Sequence, residues 1–185
     1  AKDKWPDKIS PPVMQFNLVQ LYNTGEFAKA EEEVNTVLRQ VPDNLWLQFF
    51  KASLLSAQTK NQEAEECLHA VFRRADIQSG TRISALHGRL LLLSQLGRKN
   101  EVKAEVVSML EGPYTVSEKT LLLDNLCCWP FMLERTEYLP EAEVWIKEAM
   151  KLDPASQTLR GTYAALLVES RQNPAEAEAL LLKLL

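Results

Sequence analysis

Histidine and cysteine are the residues of this sequence best suited to nucleophilic catalysis, proton transfer or metal binding. The 185-residue chain holds two histidines, His69 and His87, and three cysteines, Cys67, Cys127 and Cys128. Because Cys67 and His69 are two positions apart, they point to different faces of a helix and are poor partners for a shared metal. A reactive thiol needs a neighbouring base and a positive environment, and the sequence around Cys67 provides neither. We therefore predict no metal site and no cofactor.

Two acidic stretches, Glu31–Glu33 and Glu63–Glu66, contain carboxylates that an enzyme could use as general acids. Both lie early in predicted helices, where carboxylates interact favourably with the helix dipole, so a solvated helix face is the simpler interpretation. The motifs H-E-x-x-H and G-x-S-x-G and the glycine-lysine phosphate loop do not occur. We expect a protein that is not an enzyme.

The amino-acid composition favours helices over turn-rich structures. Glycine is scarce, at 6 of 185 residues, whereas about 7% is usual, and good helix formers such as leucine, alanine and glutamate are frequent. Against 25 Asp and Glu stand 21 Lys and Arg, which gives a net charge of −4. The basic surface of a dedicated nucleic-acid-binding protein is therefore missing, and we expect no nucleic-acid partner.

The apolar runs, the cysteines and the ends of the chain indicate where in the cell the protein is expected. No apolar run approaches the roughly 18 residues that predict a membrane span, so we expect no direct membrane insertion. Three cysteines, two of them adjacent, favour reduced thiols in a cytoplasmic protein or in the cytosol-facing part of a larger membrane protein. The chain starts Ala-Lys-Asp-Lys and ends Leu-Leu-Leu-Lys-Leu-Leu, which suggests a piece of a longer protein.

The stretch around Gly25 has a pattern that returns along the chain. It reads Tyr22-Asn-Thr-Gly25-Glu-Phe27-Ala-Lys-Ala30 and continues with Val34, Val37 and Pro42. This order predicts a helix, a glycine turn, a second helix and a proline stop. In each later repeat of the pattern, a small or branched apolar residue stands at the place of Ala30, and we call these residues the anchors. The anchors, which lie 34, 38, 40 and 35 residues apart, are Ala30, Ala64, Val102, Ala142 and Ala177.

This pattern resembles the tetratricopeptide repeat (TPR), a helix–turn–helix unit of about 34 residues. The resemblance covers the chain from about residue 11 to its end. It implies an all-α fold, an α-solenoid that forms a right-handed superhelix of about five antiparallel helix pairs. Residues 1–10 would be a linker or an N-terminal tail. The repeat domain, 11–185, would contain units at about 11–44, 45–78, 79–114, 115–154 and 155–185.

Two amphipathic helices are predicted in each unit, because apolar residues three and four positions apart fall on one helix face. The predicted helices span 11–24, 27–40, 44–59, 61–76, 80–96, 99–111, 116–136, 140–152, 156–171 and 174–185. Pro130 falls inside the helix predicted over 116–136, where it removes a backbone hydrogen bond. We therefore predict a kink or a break near Trp129-Pro130.

The resemblance implies that the first helix of each pair lines a concave groove that receives a peptide or a partner helix. Tyrosine and tryptophan are frequent binding anchors in such surfaces, although Trp46 and Phe49 are equally suited to filling the seam between neighbouring repeats. The candidate groove residues by register are Gln15, Tyr22, Trp46, Phe49, Ser53, His87, Asn125 and Trp129, and the same faces include Val19, Ser84, Leu91 and Leu126.

One specialised binding mode of TPR modules can be checked on the sequence. Modules that hold the acidic tails of heat-shock chaperones use lysines, asparagines and an arginine on successive first helices. The corresponding positions here are Gln15, Val19, Phe50, Ser84 and Gly88, and none of these residues is basic. The carboxylate clamp looks absent, so binding of a chaperone tail is disfavoured.

Three functions fit this sequence. The first is a protein–protein interaction scaffold that binds a peptide or a partner helix in the concave groove. The second is a non-catalytic accessory domain cut from a larger, membrane-anchored enzyme. The third is a self-assembly module, a homodimer formed through the apolar C-terminal leucines. In each case the expected partner is a protein or a peptide.

Overall fold

The computed structural model describes residues 11–128, 138–170 and 173–182. Within these ranges the secondary structure consists of helices and contains no strand, so the all-α prediction is confirmed. The helices are α1 (Pro11–Asn23), α2 (Phe27–Leu38), α3 (Leu45–Ala57), α4 (Asn61–Phe72), α5 (Ser79–Gln95), α6 (Lys99–Glu111), α7 (Val116–Cys127), α8 (Leu139–Leu152), α9 (Gln157–Ser170) and α10 (Pro174–Leu182).

The helices form two compact units, and the boundary between them falls inside α6, between Glu105 and Val106. In unit 1, each helix from α1 to α4 packs on the next helix of the chain. In unit 2, α7 packs on α8, α8 on α9 and α9 on α10. Helix α9 also contacts α7, which joins the first helices of two successive pairs, as stacking of repeat units requires. The division of the chain into five units stays a prediction.

The anchor residues of the repeat pattern lie in the core. The exposed fraction is 0% for Ala30, Ala64, Val102 and Ala142 and 2% for Ala177, and each residue lies in the second helix of its pair. A small side chain at this place lets the two helices approach closely. Larger apolar residues one and two turns further along, such as Val34 and Leu68, complete the packing.

The turns inside the pairs of unit 1 share one backbone hydrogen-bond pattern. After α1, the N–H of Glu26 donates to the carbonyl of Leu21 at 2.9 Å, and the N–H of Gly25 donates to the carbonyl of Tyr22 at 3.1 Å. The same two bonds recur after α3 and after α5. This is the Schellman arrangement, which needs a left-handed residue directly after the helix.

The left-handed residue of the turn is glycine in two pairs and threonine in the third. Gly25 has a φ of 78° and Gly97 a φ of 73°, which confirms the predicted glycine turns. Thr59 occupies the same place after α3 with a φ of 62°. A β-branched residue is disfavoured in this conformation, so the turn between α3 and α4 is strained.

Two helices end earlier than the sequence predicts. Helix α4 ends at Phe72, four residues before the predicted 76, because Arg74 leaves the helical path. The Arg74 guanidinium binds Asp76 at 2.7 Å, and the Arg74 carbonyl accepts a hydrogen bond from Arg82 at 2.8 Å. Helix α7 ends at Cys127 and not at 136. The predicted break at Trp129-Pro130 lies outside the described residues.

Polar side chains cap several helix starts and thereby satisfy backbone N–H groups that have no partner inside the helix. The Oδ1 atom of the buried Asn44 accepts from the N–H of Leu47 at 3.0 Å at the start of α3. Asn173 accepts in the same way from the N–H of Glu176 at 3.2 Å. The Glu176 carboxylate accepts from the side-chain amide of Asn173 at 3.0 Å.

The threonine turn gives the first testable prediction. Thr59→Gly raises the free energy of unfolding by up to about 1.6 kcal/mol. The left-handed conformation costs an L-residue about 1–2 kcal/mol, and the greater freedom of the unfolded glycine offsets about 0.4–1 kcal/mol of that cost. Urea denaturation followed by circular dichroism measures the change.

Two alanine variants serve as controls for this prediction. A Cβ atom at Gly25 or at Gly80 meets no heavy atom within 4 Å, and only Gly25 has a left-handed φ. Gly25→Ala therefore lowers the stability, whereas Gly80→Ala, in the first turn of α5, maintains or raises it. Equal effects at the two glycines would contradict the conformational explanation.

Candidate functional site

The candidate site is a groove in unit 1 that the first helices α1, α3 and α5 form together. It contains an open cavity of about 370 Å³. Apolar and hydroxyl side chains line the cavity, and the lining includes no charged side chain. The lining residues are Tyr22, Phe49, Ala52, Ser53, Ser56, Ala57, Leu68, Ser84, Gly88, Leu91 and Leu92.

Small residues form the floor of this cavity. On α3, Ala52 and Ser56 are four residues apart, as are Ser53 and Ala57, so each pair lies on one helix face. On α5, Ser84 and Gly88 make the same kind of pair. A Cβ atom at Gly88 would lie 2.8 Å from Cδ1 of Leu68. The absent side chain at this position therefore allows α5 to pass close to α4.

Aromatic packing holds one wall of the groove in place. The ring of Tyr22 meets Phe27 edge-on at 5.4 Å and lies 5.9 Å from Phe50. Phe50 in turn stacks on Trp46 at 4.9 Å with an angle of 10° between the rings. These contacts fix the position of the Tyr22 ring before any partner binds, so that little side-chain entropy is lost on binding.

Two of the three serine hydroxyl groups of the floor are already used as donors. Ser53 Oγ donates to the carbonyl of Phe49 at 3.2 Å, and Ser84 Oγ donates to the carbonyl of Gly80 at 3.0 Å. Each of these oxygen atoms keeps lone pairs that can accept a hydrogen bond. The two serines therefore present acceptors to the groove while their hydrogen atoms are directed to their own helices.

Charged side chains are distributed unevenly between the two kinds of helix. Helices α1, α3 and α5 contain no aspartate or glutamate, whereas α2 and α4 carry three glutamates each. The pKa of Glu31 on α2 is lowered, first by hydrogen bonds from Gln58 and Lys60 and also by the charge of Lys51. The Lys51 ammonium on α3 thus acts on a carboxylate of α2, which does not line the groove.

The structure brings three of the predicted groove residues together, since Tyr22, Phe49 and Ser53 all line the cavity. Ser84 and Leu91, which share the predicted faces, line it as well. Trp46 is half-buried and packs instead against the core that α1, α2 and α3 share, where its ring stacks on Phe50. This is the seam position that the sequence left open for Trp46.

The other predicted groove residues lie elsewhere. Gln15 is half-buried on α1, two turns before Tyr22, and His87 is half-buried beside Gly88, where burial lowers the pKa of its imidazole. Asn125 is half-buried on α7 of unit 2. Its neighbour Leu126 is fully buried in unit 2 and offers no surface to a partner. Trp129 lies outside the described residues.

The small floor residues were missed in the sequence. Ala52, Ser56, Ala57 and Gly88 carry no binding chemistry of their own, so a search for aromatic and polar anchors passes over them. Their spacing was the available signal. Small residues repeated at four-residue intervals on two neighbouring first helices predict a place where a partner can approach the backbone closely.

Apart from the groove, a cluster of charged side chains lies where α4, α5 and the first part of α6 meet. Arg89 is 5% exposed and donates through Nε to Glu65 and through Nη1 to Glu105, at 2.5 Å each. Glu65 is 4% exposed and also lies 3.8 Å from Nη1 of Arg98 and 3.9 Å from Nδ1 of His69. An open cleft of about 490 Å³ adjoins these groups.

The charges of this cluster are mutually satisfied. Burial lowers the pKa of the Arg89 guanidinium, but the hydrogen bonds that it donates to Glu105 and Glu65 outweigh burial and hold that pKa above its ordinary value. Arg98 is bound to both carboxylate oxygens of Glu101, at 2.5 and 2.6 Å. We interpret the cluster as a structural ion-pair network. Across the described residues, no group of three or more His, Cys, Asp or Glu side chains is placed to hold a metal ion.

The three cysteines are all free thiols. Cys127 is buried in unit 2 and its Sγ donates to the carbonyl of Ala142 at 3.3 Å. Burial raises the pKa of each of the three thiols, Cys67, Cys127 and Cys128. A raised pKa lowers the fraction of thiolate at neutral pH, and the thiolate is the nucleophilic form.

None of the described helices combines the length and the apolarity needed to cross a membrane.

Comparisons with known proteins identify the fold. No protein-family model and no curated protein matches the amino-acid sequence. The MamA RS-1 ArsTM double mutant matches at 14% identity over 98% of this chain and 96% of its own, with a TM-score of 0.54. A putative kinesin light chain of Podosopora anserina with TPR-like repeats matches at 15% identity over 94% of this chain and 92% of its own, with a TM-score of 0.58.

A tetratricopeptide repeat protein from Parabacteroides merdae matches at 18% identity, with a TM-score of 0.55. That match covers 94% of this chain and 64% of the other protein. At such identities the likeness shows the fold alone. The chain has the TPR-like, all-α helical-repeat fold of a solenoid, and the fold class predicted from the repeat pattern is confirmed.

The ion-pair network gives the second prediction. Arg89→Ala lowers the free energy of unfolding by about 3–5 kcal/mol, because removal of one partner from a buried ion pair leaves the other charge buried and uncompensated. Glu101→Ala is the control, since its pair with Arg98 is largely exposed and we expect almost no change there. Urea denaturation measures both variants. A small effect at Arg89 would mean that water reaches Glu65 and Glu105.

Proposed function

We propose that this chain is a protein–protein interaction scaffold that binds a peptide or a partner helix in the groove of unit 1. The observation that carries the proposal is the cavity of about 370 Å³ that three first helices line with apolar and hydroxyl side chains. A concave, mostly apolar site with a few polar groups is the usual form of a binding site. The TPR-like fold, which presents first helices on one face, supports the same function.

The proposed role is not enzymatic. Among the described residues, several side chains that could carry out chemistry are engaged elsewhere, because Cys127 lies in the core and Arg89, Glu65 and Glu105 bind one another. Burial raises the pKa of the Cys67 thiol, which disfavours its nucleophilic form. The three free cysteines favour a cytoplasmic location for the scaffold.

A groove-filling variant tests the proposed function. Ser53 is exposed in the middle of α3 and lines the cavity, so Ser53→Trp places an indole ring in the groove without disturbing the core. We select binders to the wild-type chain from a pooled display library of linear peptides and of surface-randomised helices. We expect selected clones that bind Ser53→Trp at least tenfold more weakly than the wild-type chain, a difference of about 1.4 kcal/mol in binding free energy. Titration calorimetry measures the affinity.

The matched control is Ser108→Trp. Ser108 is also exposed in the middle of a helix, α6, and does not line the cavity, so the same substitution there leaves the affinity unchanged. Because the lining is uncharged, we also expect the affinity to change less than threefold between 50 and 500 mM salt, a range over which exposed ion pairs are strongly screened. Selection that yields only clones indifferent to Ser53→Trp would contradict the proposal.

A second candidate function, self-assembly, has an observation of its own. In unit 2 an apolar cleft of about 420 Å³ between α9 and α10 is lined by Leu167, Val168, Pro174, Ala177, Glu178, Leu181 and Leu182. Val168, Leu181 and Leu182 are exposed. Exposed apolar patches of this kind mark interaction sites, and in a homodimer a second copy of the chain would cover the patch.

Light scattering tests self-assembly. If the cleft joins two copies, the wild-type chain has the mass of a dimer, and Val168→Asp lowers it to that of a monomer because a carboxylate cannot be buried there without a partner. Val144→Asp on α8 is the control, since the two valines are 59% and 58% exposed and only Val168 lines the cleft. A wild-type monomer at high protein concentration would remove this candidate.

A further inference from the structure

We infer that the groove of unit 1 accepts an amphipathic α-helix of a partner protein, held by an uncharged apolar face, and not an extended peptide. This inference rests on the proposed function, because it names the partner of the same groove. Four features of the groove carry it: its hydrogen-bonding groups, its small-residue floor, its fixed aromatic wall and its charge.

The hydrogen-bonding groups of the groove cannot hold an extended backbone. Each residue of an extended peptide brings one N–H and one C=O group that need partners when they leave water. A buried group without a partner costs about 1–3 kcal/mol. The carbonyl groups of the peptide would need donors from the groove. In the described part of the chain, the residues that line the cavity include no side-chain amide, imidazole, ammonium or guanidinium group. The hydroxyl hydrogens of Ser53 and Ser84 are directed to their own helices.

A helix avoids this requirement. Its backbone groups are bonded within the helix, so a groove needs to supply only apolar contact to its exposed face. Ser56 and Tyr22, whose hydroxyl groups complete the polar part of the lining, lie on α3 and α1. These two hydroxyl groups can form hydrogen bonds with one or two polar side chains of a partner. They cannot supply hydrogen-bond partners for a peptide backbone over several residues.

The floor and the wall of the groove have the shape that a helix requires. Helices pack closely where small residues open a hollow between neighbouring ridges. The three pairs of small residues on α3 and α5 make such a hollow, and Tyr22, Phe49 and Leu91 stand around it. One large apolar side chain of the partner helix, such as phenylalanine or leucine, would enter the cavity, and residues three, four and seven positions away would contact the surrounding wall.

Charge complementarity restricts the face of this helix to uncharged residues. Among the described residues, no charged side chain lines the cavity, and both arginines of α5 have other partners. Arg82 donates to the carbonyl of Arg74 at 2.8 Å, and Arg89 binds Glu65 and Glu105. A carboxylate or an ammonium group of a partner that entered the groove would lose its hydration without gaining an opposite charge.

The experiment uses the two arms of the display library separately. One arm displays a stable helical hairpin with one face randomised, and the other displays linear peptides of twelve residues with proline at every fourth position, which prevents helix formation. Both arms are selected on the full wild-type chain. Clones are then classified by the loss of binding to Ser53→Trp and by its retention on Ser108→Trp.

We expect groove-dependent clones in the helical arm, with uncharged apolar residues at positions i, i+3 or i+4 and i+7. A proline placed at the centre of such a helix reduces the affinity at least tenfold. Groove-dependent clones that arise only from the linear arm, or helical clones with a charged residue at the central position, would overturn the inference and leave the groove as a binding site. The failure of both arms to yield groove-dependent clones would overturn the proposed function itself.

Discussion

Each helix of this chain has an apolar stripe that its own pair cannot fully cover, and the need to bury that stripe governs the rest of the structure. The anchors Ala30 and Ala64 show how this is achieved, because their full burial brings the second helix of a pair against the first. Successive pairs then bury what remains. Once the second helices are packed in this way, the first helices α1, α3 and α5 are left with one side that no helix of unit 1 covers, and this side is the groove.

The ion pairs of unit 1 follow from the same arrangement. Desolvation of Arg89, Glu65 and Glu105 is costly, and their attraction roughly balances that cost, so the network adds little net stability compared with apolar residues. Its consequence is that α4, α5 and α6 depend on one another, because no single charge can be withdrawn without leaving another uncompensated. The network also binds Arg89, one of the few cations on the first helices, to carboxylates of α4 and α6. The groove is left without charge.

The sequence predicted those features that depend on local spacing. The helix starts, the glycine turns at Gly25 and Gly97 and the buried anchors all follow from periodicity and from the backbone preferences of glycine and proline. Thr59 was not recognised as a turn residue because threonine gives no indication of a left-handed conformation. In the same way, helical register could not separate Trp46 from Phe49. Only the folded structure shows that Trp46 stacks on Phe50, whereas Phe49 lines the cavity.

Features that join distant parts of the chain could not be predicted. Glu65 and Arg89 are 24 residues apart, and Arg89 and Glu105 are 16 apart, so no local pattern reveals their contact. The small floor of the groove was missed for a similar reason, since Ser53 and Ser84 become neighbours of one cavity only when α3 and α5 are stacked.

The residues that fix this fold and the residues that select a partner are largely different. Anchors and turn residues such as Ala30, Ala64 and Gly25 are buried or lie in turns, and none of them lines the cavity. Ser53 and Ser84 line the cavity and are exposed, so their side chains can change with little effect on the core. Chains with the same helical-repeat fold can therefore differ completely in the chemistry of this groove. The absence of charged and amide groups from the lining is consequently a property of this chain, and it is the reason for assigning the groove to a helix.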